Sequence, residues 1–379
     1  MRIERLGAFD AARTYAMVNV AMFDAVNGIN RRQHKSDLAH ALVPPFGAPA
    51  RANRKAAAAA AAHAVLSALY PDQVSTYDDQ LDVHLNRLRG RGRIARGVAW
   101  GEYVGDQVVT LRANDGTSPP ETQPGGSGPG EFRADFGAAA FRNMTPFAIA
   151  DPLAYVSAGT PALTSPEYLA AHTEVRLLGD VAYANPTYDE VFNFWKAGGG
   201  SVRPPGEWIK IAIVVAGDQG TVRNLSKTSQ LFALLSMALA DASISVVHDK
   251  FTYHFWRPAT AIREASTDGN PDTVEDVNWN PRNGSIGGSP EHTSGQSAFA
   301  GVGSTILASF YGDDNITFEF TGDNAIAGSR VFASFSDAAR EAGRSRILAG
   351  IHFEFSNQAG QETGRGVARE VLTSALQPE

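Results

Sequence analysis

The chain has no cysteine among its 379 residues. Disulfides, zinc–thiolate sites, iron–sulfur clusters and cysteine nucleophiles are therefore excluded. It also lacks the roughly eighteen uninterrupted apolar residues of a membrane-crossing helix, so no membrane span is expected. Positive charge is in deficit: 33 Lys and Arg stand against 40 Asp and Glu, a net charge of −7. That balance argues against nucleic acid or an anionic membrane as the main partner, while leaving room for a local basic pocket. The first residues, Met1 to Arg5, carry no signal-peptide apolar region. The expected location is secreted or periplasmic if a leader has been trimmed, and cytoplasmic otherwise. Runs of alternating β-branched residues are missing as well, and no solenoid repeat is visible.

What is present reads as helix. Asp10 to Ile29 is a dense apolar run rich in small residues, too long for a strand. Arg51 to Tyr70 contains the alanine tract Ala56 to Ala62 and is closed by Pro71. Helical spacing continues over about 74–88 and 93–113. Between Asp115 and Thr164 the composition turns to proline and glycine, which predicts a long irregular wrap or lid. Helices resume at Ser165, a capping residue followed by Pro166. They continue over about 186–197, 206–217, 227–256, 293–311, 336–342 and 344–376. The expected fold is an all-α helical bundle with long loops, in a single domain over residues 1–379. Its parts would be N-terminal helices 1–114, the loop 115–164, and a bundle 165–379 carrying the site.

Three segments carry chemistry. In Lys250-Phe-Thr-Tyr-His-Phe-Trp-Arg257-Pro258, a continuous helix would set Lys250 and Arg257 about 20° apart on one face, with His254 between them. Two cations on one face suit an anion, although a solvated cationic stripe has the same sequence. In Thr293-Ser294-Gly295-Gln296, a hydroxyl and free backbone N–H groups at a helix start also suit an anion, or serve only as a cap. In Ser345-Arg346 and Gly350-Ile-His352-Phe-Glu-Phe, Arg346 and His352 either share a broad helical face or straddle a helix start.

Taken together, the order Lys, six residues, Arg-Pro, a gap, Ser-Gly, a gap, Ser-Arg, five residues, His resembles the signature of the vanadium-dependent haloperoxidases and type-2 phosphatidic acid phosphatases. The text around Arg13-Thr-Tyr-Ala-Met-Val-Asn, Phe23-Asp-Ala-Val-Asn, Phe194-Trp195 and Pro204-Pro-Gly-Glu-Trp208 looks like the bacterial haloperoxidase-like branch, so the resemblance covers most of the chain. It implies a helical bundle and one oxyanion pocket. Lys250, Arg257 and Arg346 would pair with equatorial oxygens, and Ser294 and the Gly295 N–H would donate further bonds. His352 would bond the central atom, either vanadium of vanadate or phosphorus. The implied partners are hydrogen peroxide, a halide (bromide rather than chloride) and a small-molecule substrate. Phosphate could occupy the same site, and a homodimer is expected by analogy.

Two positions depart from the family pattern. Gln296 stands where the family has an acid–base histidine, and an amide cannot transfer a proton near neutral pH. Ser356 stands where an aspartate often orients the imidazole. His254 and His292 are the candidate substitutes for the missing acid–base group. The alternatives left open are a phosphohydrolase working through a phosphohistidine, and a vanadium-independent or inactive relative. The aromatics Phe194, Trp195, Trp208, Tyr253, Phe255 and Trp256 are expected mostly in the core. Glu207 and Lys210 are candidate cleft residues.

Overall fold

The computed structural model describes residues 3–324 and 328–379. Four helices form the N-terminal part: α1 (Ala8–Arg32), α2 (Arg54–Leu69), α3 (Val74–Asn86) and α4 (Arg91–Arg112). After the wrap come α5 (Pro166–Leu178), α6 (Pro186–Phe194), α7 (Arg203–Asp218), α8 (Leu225–Tyr253) and the short α9 (Pro258–Arg263). Then follow α10 (Gly295–Tyr311), α11 (Phe335–Leu348) and α12 (Glu354–Ser374). Two four-residue strands, β1 (Phe318–Thr321) and β2 (Ser329–Phe332), pair antiparallel between α10 and α11. They are too short to leave an alternation visible in the sequence.

Helix α8 is the axis of the fold. It is long and apolar enough to cross a membrane, yet 89% of its most apolar window is buried inside the protein. Helices α1, α10 and α12 pack against it. The alanine tract of α2 gives close approach to α4. One apolar core joins residues from Phe9 to Leu376. A second, smaller core collects Tyr168, Phe255, Trp256, Ile347, Phe353 and Phe355 with their neighbours. Its members flank Arg257, Arg346 and His352 in sequence, so burying them fixes the backbone that carries those three side chains.

The wrap 115–164 is tied down along its length. Asp115 takes the Arg13 guanidinium at 2.8 Å. The Phe132 N–H donates to the His254 carbonyl, and the Trp256 N–H donates to the Gly130 carbonyl, each at 2.8 Å. Asp241 on α8 accepts from the backbone N–H groups of Phe147, Ala148 and Ile149. A loop of this kind needs buried partners for its own backbone, and these bonds supply them.

Two expected helix boundaries change. Helix α8 stops at Tyr253, because His254 adopts a left-handed φ of 44°. Arg257 is therefore not on the Lys250 helix; it is the N-cap of α9, and the one-face argument for Lys250, His254 and Arg257 fails. The helix expected over 344–376 is broken as well. Helix α11 ends at Leu348, Gly350 turns the chain with φ 75°, and α12 begins only at Glu354. Arg346 lies in the last turn of α11, while His352 sits in the break.

Candidate active site

Four junctions meet at one point: the end of α8, the N-terminus of α9, the loop leading into α10, and the break between α11 and α12. Each brings one group, and each group is buried: Lys250, Arg257, Ser294 and His352, with Arg346 beside them. Three cations in a dry site repel one another. Burial holds Lys250 well below its ordinary value, and Arg257 pushes it the same way. Burial brings Arg257 down to about 10 and Arg346 to about 9, the latter also through its repulsion with Arg257. A bound anion would relieve all three.

The segment Ser289-Pro290-Glu291 holds the site together. The Ser289 carbonyl accepts from Arg257 Nε at 2.8 Å, and the Ser289 hydroxyl accepts from Arg257 Nη2 at 3.1 Å. The carbonyls of Pro290 and Glu291 accept from Lys250 Nζ at 2.5 and 3.3 Å. The Glu291 carboxylate oxygen Oε1 takes His352 Nδ1 at 2.8 Å and the Phe353 N–H at 2.9 Å. Gly287 lets this strap pass close to the arginine: a Cβ there would lie 2.8 Å from the guanidinium carbon, and its φ is 95°.

The proton on His352 can be placed by elimination. Arg257 Nη1 lies 3.1 Å from His352 Nε2, and a guanidinium can only donate. Nε2 therefore holds the lone pair, and Nδ1 carries the hydrogen given to Glu291. Burial, followed by Arg257, Lys250, Arg346 and His292, holds His352 well below its ordinary value. A neutral imidazole with Nε2 unprotonated is a ligand or a nucleophile once an anion takes the place of the Arg257 bond. Burial pushes Glu291 the other way, up to about 7, against the pull of Arg257.

Ser294 caps α10. Its hydroxyl oxygen accepts from the Ser297 hydroxyl at 2.9 Å, which leaves its own hydrogen to donate. Gly295 opens the helix, and a Cβ there would lie 3.7 Å from Val246 and 3.8 Å from Phe9. The Gln296 amide donates from Nε2 to the Trp195 carbonyl at 2.9 Å. Arg346 Nη2 donates to the same carbonyl at 3.4 Å, so Gln296 and Arg346 are neighbours.

The remaining candidates lie elsewhere or act differently. The ring of His254 packs edge-on to Phe132, with Glu131 as its charged neighbour. His292 is fully buried; its Nε2 meets the Ser157 hydroxyl at 2.6 Å, and burial lowers it to about 3. Ser356 does not orient His352: its hydroxyl donates to the Glu291 carbonyl at 3.3 Å. Trp195, Trp208, Phe194, Phe255 and Trp256 are buried, and Tyr253 is half-buried. Glu207 and Lys210 serve the β-hairpin: Glu207 accepts from the Asp323 N–H, and Lys210 donates to the Thr321 carbonyl.

Residues 230–378 match the sequence profile of the family described as the VCPO second helical-bundle domain. The whole chain superposes on a bacterial vanadium-dependent iodoperoxidase with a TM-score of 0.79 and 22% identity, covering 97% of this chain and 92% of that one. The chain thus has the fold of that enzyme, and its C-terminal bundle matches the VCPO second-domain family. A bacterial vanadium-dependent chloroperoxidase in its holo form gives a TM-score of 0.72 at 16% identity, covering 97% and 92%. The apo form of such an enzyme gives 0.70 at 17%, covering 97% and 94%. No curated protein sequence matches the chain. The matched range includes Lys250, Arg257, Ser294, Arg346 and His352.

Proposed function

We propose that this protein is a haloperoxidase-type enzyme that binds vanadate at His352 and oxidises a halide, or a related donor, with hydrogen peroxide. One observation carries the reading. The Nε2 lone pair of His352 faces Arg257, with Lys250 and Arg346 beside it. That donor set fits a bound oxyanion: an unprotonated ring nitrogen would bond its central atom, three cations would hold its oxygens, and the Ser294 hydroxyl with the Gly295 N–H at a helix start would donate further bonds. The fold relatives, vanadium-dependent iodo- and chloroperoxidases, favour vanadate over other anions of this shape. Bound vanadate would supply Lewis-acid activation of peroxide.

The protein's own groups do the rest. Lys250, Arg257 and Arg346 neutralise and orient the anion. The apolar groups around Trp195 and Phe353 exclude water, which strengthens each charge interaction. Gln296, tied to the Trp195 carbonyl through its NH2, keeps Oε1 as an acceptor but moves no proton. His254 takes no part. Without an acid–base group, donors that are easy to oxidise suit the site, bromide rather than chloride.

The test is vanadate-dependent bromination of an activated diketone dye with hydrogen peroxide. Wild type should turn over, and His352→Ala should fall to background. Tight vanadate binding with no oxidation of bromide, iodide or a thioether at any pH would sink the proposal. Hydrolysis of an aryl phosphate, lost in His352→Ala and competitively blocked by vanadate, would point instead to a phosphohydrolase using the same nitrogen.

A further inference from the structure

We infer that Glu291 is the positioning residue for His352, and that the strap 289–291 supplies from a loop the carboxylate that α12 lacks at Ser356. This inference rests on the reading of His352 as the anion's apical partner. Three observations support it. Glu291 is fully buried, and the same oxygen that takes His352 Nδ1 also takes the Phe353 N–H. The imidazole and the backbone following it are therefore fixed to one atom. Ser356 is bonded to the backbone of Glu291, so the residue at the vacated position steadies the strap rather than the ring. Finally, Lys250 and Arg257 are bonded to the same three residues. One rigid segment thus sets the distance between the lone pair and two of the three cations.

A carboxylate can only accept when ionised, so it selects the Nδ1–H tautomer and leaves Nε2 unprotonated. An amide of the same shape offers an oxygen but no charge. In Glu291→Gln the Phe353 N–H and Arg257 still require an oxygen at Nδ1 and a lone pair on Nε2, but the negative charge that makes Nε2 a stronger donor to the anion is gone. The bonds to Lys250 and Arg257 run through backbone and Ser289, and they survive the change.

The experiment is nitrogen-15 NMR of histidine-labelled protein without anion, paired with a vanadate titration. Wild type should show His352 protonated on Nδ1. Glu291→Gln should keep that tautomer with a less basic Nε2 and bind vanadate about ten- to a hundredfold more weakly. Glu291→Asp, which keeps the charge, should keep the Nδ1–H tautomer and lose less affinity than the amide. An Nε2–H imidazole in wild type overturns the assignment, whether or not any variant folds. So does a folded Glu291→Gln protein whose vanadate affinity is unchanged. If the tautomers behave as expected but wild type does not bind vanadate, the functional reading fails and Glu291 keeps its role.

Discussion

Two of the regions that bury carboxylates use them differently. Where α1 and α8 pack, Asp24 accepts from the N–H groups of Ala41, Leu42 and Val43, and Asp241 accepts from those of Phe147, Ala148 and Ile149. Each is bonded to three consecutive backbone donors, and burial raises each to about 6. They pin loops. At the junction of α9, α10 and α12, Glu291 accepts one backbone N–H and one imidazole nitrogen. The cost of burial is similar in both regions, but only the second spends part of its hydrogen bonding on a side chain with chemistry. A buried carboxylate by itself therefore says little about function; what it holds decides the matter.

The comparison breaks most visibly at Asp241. In Asp241→Ala, three buried N–H groups lose their acceptor, at about 1–3 kcal/mol each before relaxation. A net loss of about 4 kcal/mol is expected, or roughly 5 °C in Tm for a chain of this length. Vanadate affinity measured well below that Tm should be unchanged. A large loss of affinity in the folded variant would show that the two regions are not separable.

How much of this was open to sequence reasoning differs by residue, for physical reasons. Lys250, Arg257, Ser294, Arg346 and His352 stood out because their order along the chain resembles a family signature, not through helical spacing, which failed for Lys250 and Arg257. The end of α8 was missed, although Pro258 disfavours a helical Arg257 before it. His254 is not a residue expected at φ 44°, and the apolar pattern runs on through Trp256. The break before His352 had a signal in Gly350, whose φ of 75° ends α11. Glu291 had none. It lies beside a stretch rich in Asp, Asn and Gly, where an acid reads as solvated, and only the meeting of four junctions buries it. Asp24 and Asp241 are hidden for a similar reason, since their loop partners lie 17 or more and 92 or more residues away.

Gln296 sharpens the comparison from inside the site. It is half-buried, and its known bond is to the Trp195 carbonyl. A histidine there would restore a group that moves protons. Gln296→His should raise peroxide-dependent bromination about a hundredfold, the lower end of what a placed acid–base group contributes. Its Tm should stay within a degree or two of wild type. An unchanged rate, with vanadate still bound, would mean that proton transfer does not limit this enzyme.

The smallest effect concerns an imidazole that has no part in the site. His172 is fully buried beside Tyr168, and burial lowers it to about 4. The unfolded chain would take up a proton near pH 6.5, whereas the folded one refuses it until about pH 4. Stability from this group is thus complete above pH 6.5 and is lost as pH falls through that window. In His172→Phe the loss disappears. Between pH 6.5 and 4, the Tm of the variant should gain on wild type by about 3 °C, with vanadate affinity at neutral pH unaltered. Two parallel Tm curves would show that His172 is protonated in the folded protein, and that its burial costs less than its surroundings imply.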